Sequence, residues 1–88
     1  MKIMKQAGFL HITFQEPDWN NPAGGAYEFI KEFKVSFVHA TSENNGLGWS
    51  YDDVKKEWTV PDTETNALIL ESIAKTYLPP NENQTTLF

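Results

Sequence analysis

The chain of 88 residues contains no cysteine and no arginine. The first absence excludes disulfides, thiolate metal sites and thiol nucleophiles, and nothing in the composition requires an oxidising compartment. The second removes the planar guanidinium that reads guanine or phosphate through two parallel hydrogen bonds. All seven basic residues are lysine, twelve carboxylates oppose them, and the net charge is −5. An acidic chain repels a polyanion before any lysine patch can act, so direct nucleic-acid binding is expected to be weak or absent. No continuous apolar stretch is long enough for a signal peptide or a membrane span; no membrane association is expected, and cytoplasmic is the default location. His11 and His39 have no second imidazole or carboxylate at metal-ligand spacing and read as solvated residues, so neither a metal nor a cofactor is expected.

Aromatic side chains, 14% of the residues, are what the sequence has in supply. They suffice for one small core, and the length suits a single domain, assigned to 1–78 with a tail at 79–88. The organising stretch is GLGWSYDDVKKEWTVP followed by DTETNALILESIAKTY. Trp49 and Tyr51 alternate with small Gly48 and Ser50, and Trp58 and Val60 alternate with Glu57 and Thr59, the period of half-buried strands. Pairing Tyr51 with Trp58 in antiparallel register sets Trp49 opposite Val60 and puts all four on one face. Asp53 to Lys56 are then a four-residue loop. Pro61 ends the second strand, Asp62 or Thr63 caps the next helix, and Ala67, Leu70, Ala74 and Tyr77, with Asn66, Ile69 and Ile73 beside them, form its packing stripe.

Upstream, Phe9 to Phe14 reads as the first strand, with Leu10, Ile12 and Phe14 toward the core. Glu16 to Gly25, dense in Pro, Gly, Asn and Asp, reads as a loop. It contains Trp19, which either folds back to cap the core or stands exposed as a contact residue. Ala26, Phe29, Ile30, Phe33 and Phe37 fall at helical spacing, whereas Val35 to Val38 suits either more helix or an extra strand. Asn45-Gly46 marks a turn in a second loop. The fold expected is α+β: a small, mostly antiparallel sheet in β-α-β-β-α order, two helices on one face, and a flexible C-terminal tail.

Two short patterns carry resemblances. Tyr51-Asp52, five residues, then Trp58-Thr59-Val60-Pro61 and a helix resembles the hairpin of the HARP domain, found beside the motor of annealing helicases and in similar phage and bacterial helicases. The preceding helix with Phe33-Lys34 agrees with that order. In this light Trp49, Tyr51, Asp52, Trp58 and Pro61 form a mainly structural hairpin motif. Asp53 stands where the family has a proline, and Gly46, Leu47 and Gly48 stand where it has arginines, so the resemblance implies the fold while these departures put the DNA-binding role in doubt. Gln84-Thr85-Thr86-Leu87-Phe88 resembles the bacterial sliding-clamp-binding peptide, which implies that Gln84, Leu87 and Phe88 are the clamp contacts, one amide for orientation and two apolar anchors. Thr85 departs from the usual leucine.

Together these patterns predict a non-enzymatic protein-interaction module in DNA replication or repair, with a sliding clamp as partner. A small acidic phage- or plasmid-type regulator that covers a nucleic-acid-binding protein is the alternative. An enzyme using Asp52, Asp53 and Glu57 is a third reading, disfavoured because carboxylates in a hairpin loop beside Lys55 and Lys56 are usually just a solvated turn.

Overall fold

The computed structural model describes residues 1–79. Gln84, Leu87 and Phe88 lie outside the described residues. A four-stranded antiparallel sheet carries the chain, built from β1 (Lys2–Gln6), β2 (Phe9–Thr13), β3 (Ser50–Asp52) and β4 (Glu57–Pro61) in the order β1-β2-β4-β3. Between β2 and β3 come a single helical turn, α1 (Glu16–Trp19), and α2 (Gly25–Ser36); α3 (Glu64–Tyr77) follows β4. The chain is thus α+β, and β2-α2-β3-β4-α3 reproduces the expected order.

The central pair, β2 and β4, sets Leu10 opposite Val60 and Ile12 opposite Trp58. All four are buried, and Phe29 and Phe33 of α2 with Leu70 and Ile73 of α3 close over them. Both helices therefore lie on one face of the sheet, and the core is the single layer between. The expected helical stripes hold: Ala26, Phe29 and Phe33 are buried on α2, and Ala67, Ile69, Ala74 and Tyr77 flank buried Leu70 and Ile73 on α3. Phe14, just past β2, packs on the edge of the same cluster. The Thr63 side chain accepts the Asn66 N–H at 3.0 Å, which makes Thr63 the cap of α3.

Two elements depart from the sequence reading. Strand β1 was not anticipated: its five residues are all exposed, so burial imposes no alternation on KIMKQ. The connection to β2 is the two-residue turn Ala7-Gly8, in which both residues take positive φ, 54° and 82°. That is the primed-turn geometry matching strand twist, here made without the usual Asn-Gly or Asp-Gly. The other departure is α1, within a stretch expected to be all loop. Pro17 sits in its first turn, and the Asp18 carboxylate accepts the Gln15 N–H at 2.7 Å, which closes the turn before Asn20–Gly24 resume loop structure.

The open question at Val35–Val38 resolves as helix to Ser36. Phe37 is then extended, with φ −124° and ψ 143°. Immediately after it the chain runs beside β3's approach: Val38 O accepts the Trp49 N–H at 2.8 Å and Ala40 N–H donates to Trp49 O at 2.9 Å, a single parallel bridge rather than a strand. Gly48 lies at this crossing, and a Cβ there would run into Val38 O and Ala40 N. Asn44 ties the intervening loop, its amide oxygen accepting from Thr41 N and Leu47 N and its amide N–H donating to His39 O. Asn45 and Gly46, both at positive φ, make the expected turn.

Because the obstacle at Gly48 is backbone rather than a movable side chain, Gly48→Ala is expected to cost about 2–3 kcal/mol in urea denaturation. A loss within about 0.5 kcal/mol, the range of ordinary surface changes, would contradict this crossing.

Candidate functional site

The hairpin closes in the expected register, Tyr51 opposite Trp58 and Asp52 opposite Glu57. Its turn is built by Asp52, whose carboxylate accepts the N–H groups of Val54 at 2.9 Å and Lys55 at 3.1 Å, with Lys56 in the left-handed region at φ 54°. Pro61 couples the hairpin to α3: its carbonyl accepts from Thr63 N and from the Asn66 amide. Both residues thus hold the hairpin and its helix together.

On the core side of the hairpin a row of rings runs toward solvent. Tyr51 lies 4.4 Å from Trp58 between centroids, Trp58 lies 5.4 Å from Trp49, and Trp49 lies 4.4 Å from His39. Phe33 meets Trp58 edge-on at 5.6 Å. The Lys34 ammonium sits 5.3 Å from the centroids of both Trp49 and Trp58, a cation–π arrangement worth about 0.5–1 kcal/mol at exposed sites. Burial peaks at Trp58 in the middle of the row and falls toward both ends: Trp49 is half-buried beside exposed His39, and Tyr51 is 41% exposed at the sheet edge. Nearby Leu47 and Val54 are also exposed. Tyr51 is therefore the exposed ring of the hairpin motif, and Trp58 is the one buried in the core.

Trp19 caps the core and is also partly exposed. It packs edge-on against Phe14 at 5.5 Å, Phe14 in turn meets Phe29 at 5.4 Å, and so the ring caps the core. It remains 38% exposed and makes a second edge contact, 4.9 Å, with Tyr27, itself 67% exposed. Tyr27 completes a second aromatic ledge that periodicity did not flag, since it falls on the solvent side of α2.

His11 is a correction. It projects from the uncovered face of the sheet, but it is not simply solvated: Nδ1 lies 2.7 Å from Glu57 Oε1 and Nε2 lies 3.2 Å from Gln6 O, with only about 20% of either side chain accessible. Glu57 stands diagonally across the β2–β4 ladder, where His11 directly opposes Thr59. Their contact follows from a register between residues 46 positions apart, which no local spacing displays. His39, by contrast, is exposed and lies tilted against Trp49.

The three carboxylates considered for acid–base chemistry have separate partners. Asp52 holds the turn and Glu57 holds His11. Asp53 accepts from Lys56 Nζ at 3.1 Å, and this hydrogen bond, with the attraction of the same carboxylate, raises the Lys56 pKa. Among the described residues no cluster of three or more His, Asp or Glu is arranged to hold a metal ion, and no helix is long and apolar enough to cross a membrane. A shallow groove of about 290 Å³ between α2 and α3 is lined by Glu32, Ser36, Ile69, Ser72, Thr76 and Tyr77 among others. No family model, curated protein or solved structure matches the chain.

Two measurements separate structural from contact roles. Trp58→Ala is expected to cost about 3–5 kcal/mol in chemical denaturation and Tyr51→Ala about 1 kcal/mol, the value of one aromatic pair. Equal losses would contradict the burial gradient. A double-mutant cycle through His11→Ala and Glu57→Ala should return a coupling of about 0.2–1 kcal/mol at pH 6, and a coupling of zero would return His11 to the solvated class.

Proposed function

We propose that the chain is a non-enzymatic protein-interaction module of DNA replication or repair, cytoplasmic, in which Gln84, Leu87 and Phe88 dock on a bacterial sliding clamp. The observation that carries this reading is the pentapeptide QTTLF at 84–88. It combines one amide that orients the peptide by hydrogen bonding with two adjacent apolar anchors for a preformed pocket. Micromolar affinity, about −8 kcal/mol, is enough for such a contact when tethering supplies the rest. The hairpin supports a role beside DNA machinery through its resemblance to the HARP domain, and the exposed Tyr51 and Trp19 give the folded part aromatic contact area of the kind protein interfaces favour. The lack of arginine and the charge of −5 weigh toward a protein partner over nucleic acid. That same charge favours the second reading, an acidic regulator that covers a nucleic-acid-binding protein, but the carboxylates are spread along the chain rather than gathered in one block.

Titration of a purified bacterial sliding clamp with the intact chain and with a Leu87→Ala/Phe88→Ala variant tests the proposal. Micromolar binding by the intact chain, at least about tenfold weaker in the variant, is expected. No binding by either protein, or equal binding by both, would overturn the clamp reading.

A further inference from the structure

Strand β1 lies at the edge of the sheet and pairs only with β2. All five of its residues are exposed, Ile3 at 41% and Met4 at 48% among them, and among the described residues its backbone pairs with β2 alone. An edge of this kind offers a row of unpaired backbone donors and acceptors, the template to which another extended segment adds. Its side chains say what kind of segment fits.

From Lys2 to Lys5 the strand reads Lys-Ile-Met-Lys, a cation on either side of two apolar residues. The β1–β2 register puts Lys2 and Met4 on the uncovered face of the sheet, with Thr13 and His11, and Ile3 and Lys5 on the helix-bearing face, with Ile12 and Leu10. Each face of the edge therefore presents one apolar residue and one lysine. Lys5 reaches Asp62 only at 4.0 Å with its side chain 72% exposed, and Lys2 has no ion-pair partner among the described residues. The surroundings reinforce the sign: the first fifteen residues, which include β1 and β2, contain no carboxylate in a chain that has twelve.

We propose that β1 is a docking edge for an extended partner segment with the pattern acid–apolar–apolar–acid, which adds to the sheet as a fifth strand. Cross-strand neighbours lie on the same face, so carboxylates three positions apart meet Lys2 and Lys5 while the two apolar residues between them meet Ile3 and Met4. The Lys-apolar-apolar-Lys pattern reads the same in both directions, and parallel and antiparallel addition demand the same motif. A second copy of the chain is a poor occupant in the register that overlaps the whole tetrapeptide. In that two-fold antiparallel register, centred between Ile3 and Met4, Lys2 of one copy faces Lys5 of the other twice over, and like charges directly opposite repel. The lysines that guard the edge against its own kind are thus the ones that select an acidic strand.

The probes are two fluorescein-labelled, capped hexapeptides, TEVVET and TKVVKT, titrated by fluorescence anisotropy against the intact chain and against a Lys2→Glu/Lys5→Glu variant. Because β1 buries none of its side chains, the variant is expected to keep its far-UV circular dichroism and urea midpoint. The intact chain should bind TEVVET at least about tenfold more tightly than TKVVKT, the variant should reverse the preference, and both should weaken as salt rises. A strand uses alternate amides toward one neighbour, so of two TEVVET versions N-methylated at odd or at even amides, one should lose binding and the other keep it. Failure of the intact chain to bind TEVVET, equal binding of both peptides, or an unchanged preference in the variant would overturn the proposal. So would dimerisation of the intact chain that the charge reversal abolishes, seen by sedimentation equilibrium.

Discussion

Everything else in this small fold depends on how Trp58 is seated. It lies on β4, between β2 and β3, and faces Ile12 on one side and Tyr51 on the other. Phe33 of α2 meets its ring edge-on at 5.6 Å, and Trp49 and the Lys34 ammonium close over the remainder. One side chain thus joins both halves of the sheet to a helix. The consequence is a core one layer deep, in which about ten apolar residues are buried and the other face of the sheet is left to water. In such a domain a loss of several kcal/mol is comparable to the whole net stability, so the aromatic hairpin is constrained first by folding. The exposed rings lie at its margin.

That division explains which features were legible in the sequence. The Tyr51–Trp58 register was readable because two short alternating runs and a four-residue loop leave few ways to put all large rings on one face. The stripes of α2 and α3 were readable because Phe29, Phe33, Leu70 and Ile73 recur with the helical period and are buried. Strand β1 was not readable, because a fully exposed edge strand carries no burial signal and Ala7-Gly8 is a weak turn signature. The one-turn helix at Glu16–Trp19 was hidden by Pro17, which reads as a breaker in isolation yet fits the first turn of a helix.

The site-like contacts divide in the same way. Asp52 in its turn was readable, since an aspartate that begins a tight turn commonly bonds the next N–H groups. The His11–Glu57 pair was not, because it requires knowing that β2 lies beside β4 and in which register. Trp19 shows a third case: composition offered capping or exposure as alternatives, while a ring of that size does both, with one edge on Phe14 and the rest facing Tyr27 and solvent. For large amphipathic side chains burial is divided atom by atom, so a choice between inside and outside is the wrong form of question.

The charge distribution bears on what an acidic chain can recruit. At physiological ionic strength the screening length is about 8 Å, so an approaching polyanion as long as a nucleic acid spans many such lengths and meets the net charge of −5 over most of its contact. A short strand with two carboxylates does not. The proposed acidic strand would interact chiefly with Lys2, Lys5 and a hairpin free of carboxylates; the carboxylates paired beside it are Asp62 near Lys5, Glu57, held by His11, and Asp18, held by the Met1 ammonium. If β1 takes the proposed acidic strand, selectivity between it and nucleic acid follows from the length over which the partner's charge is spread rather than from its sign alone.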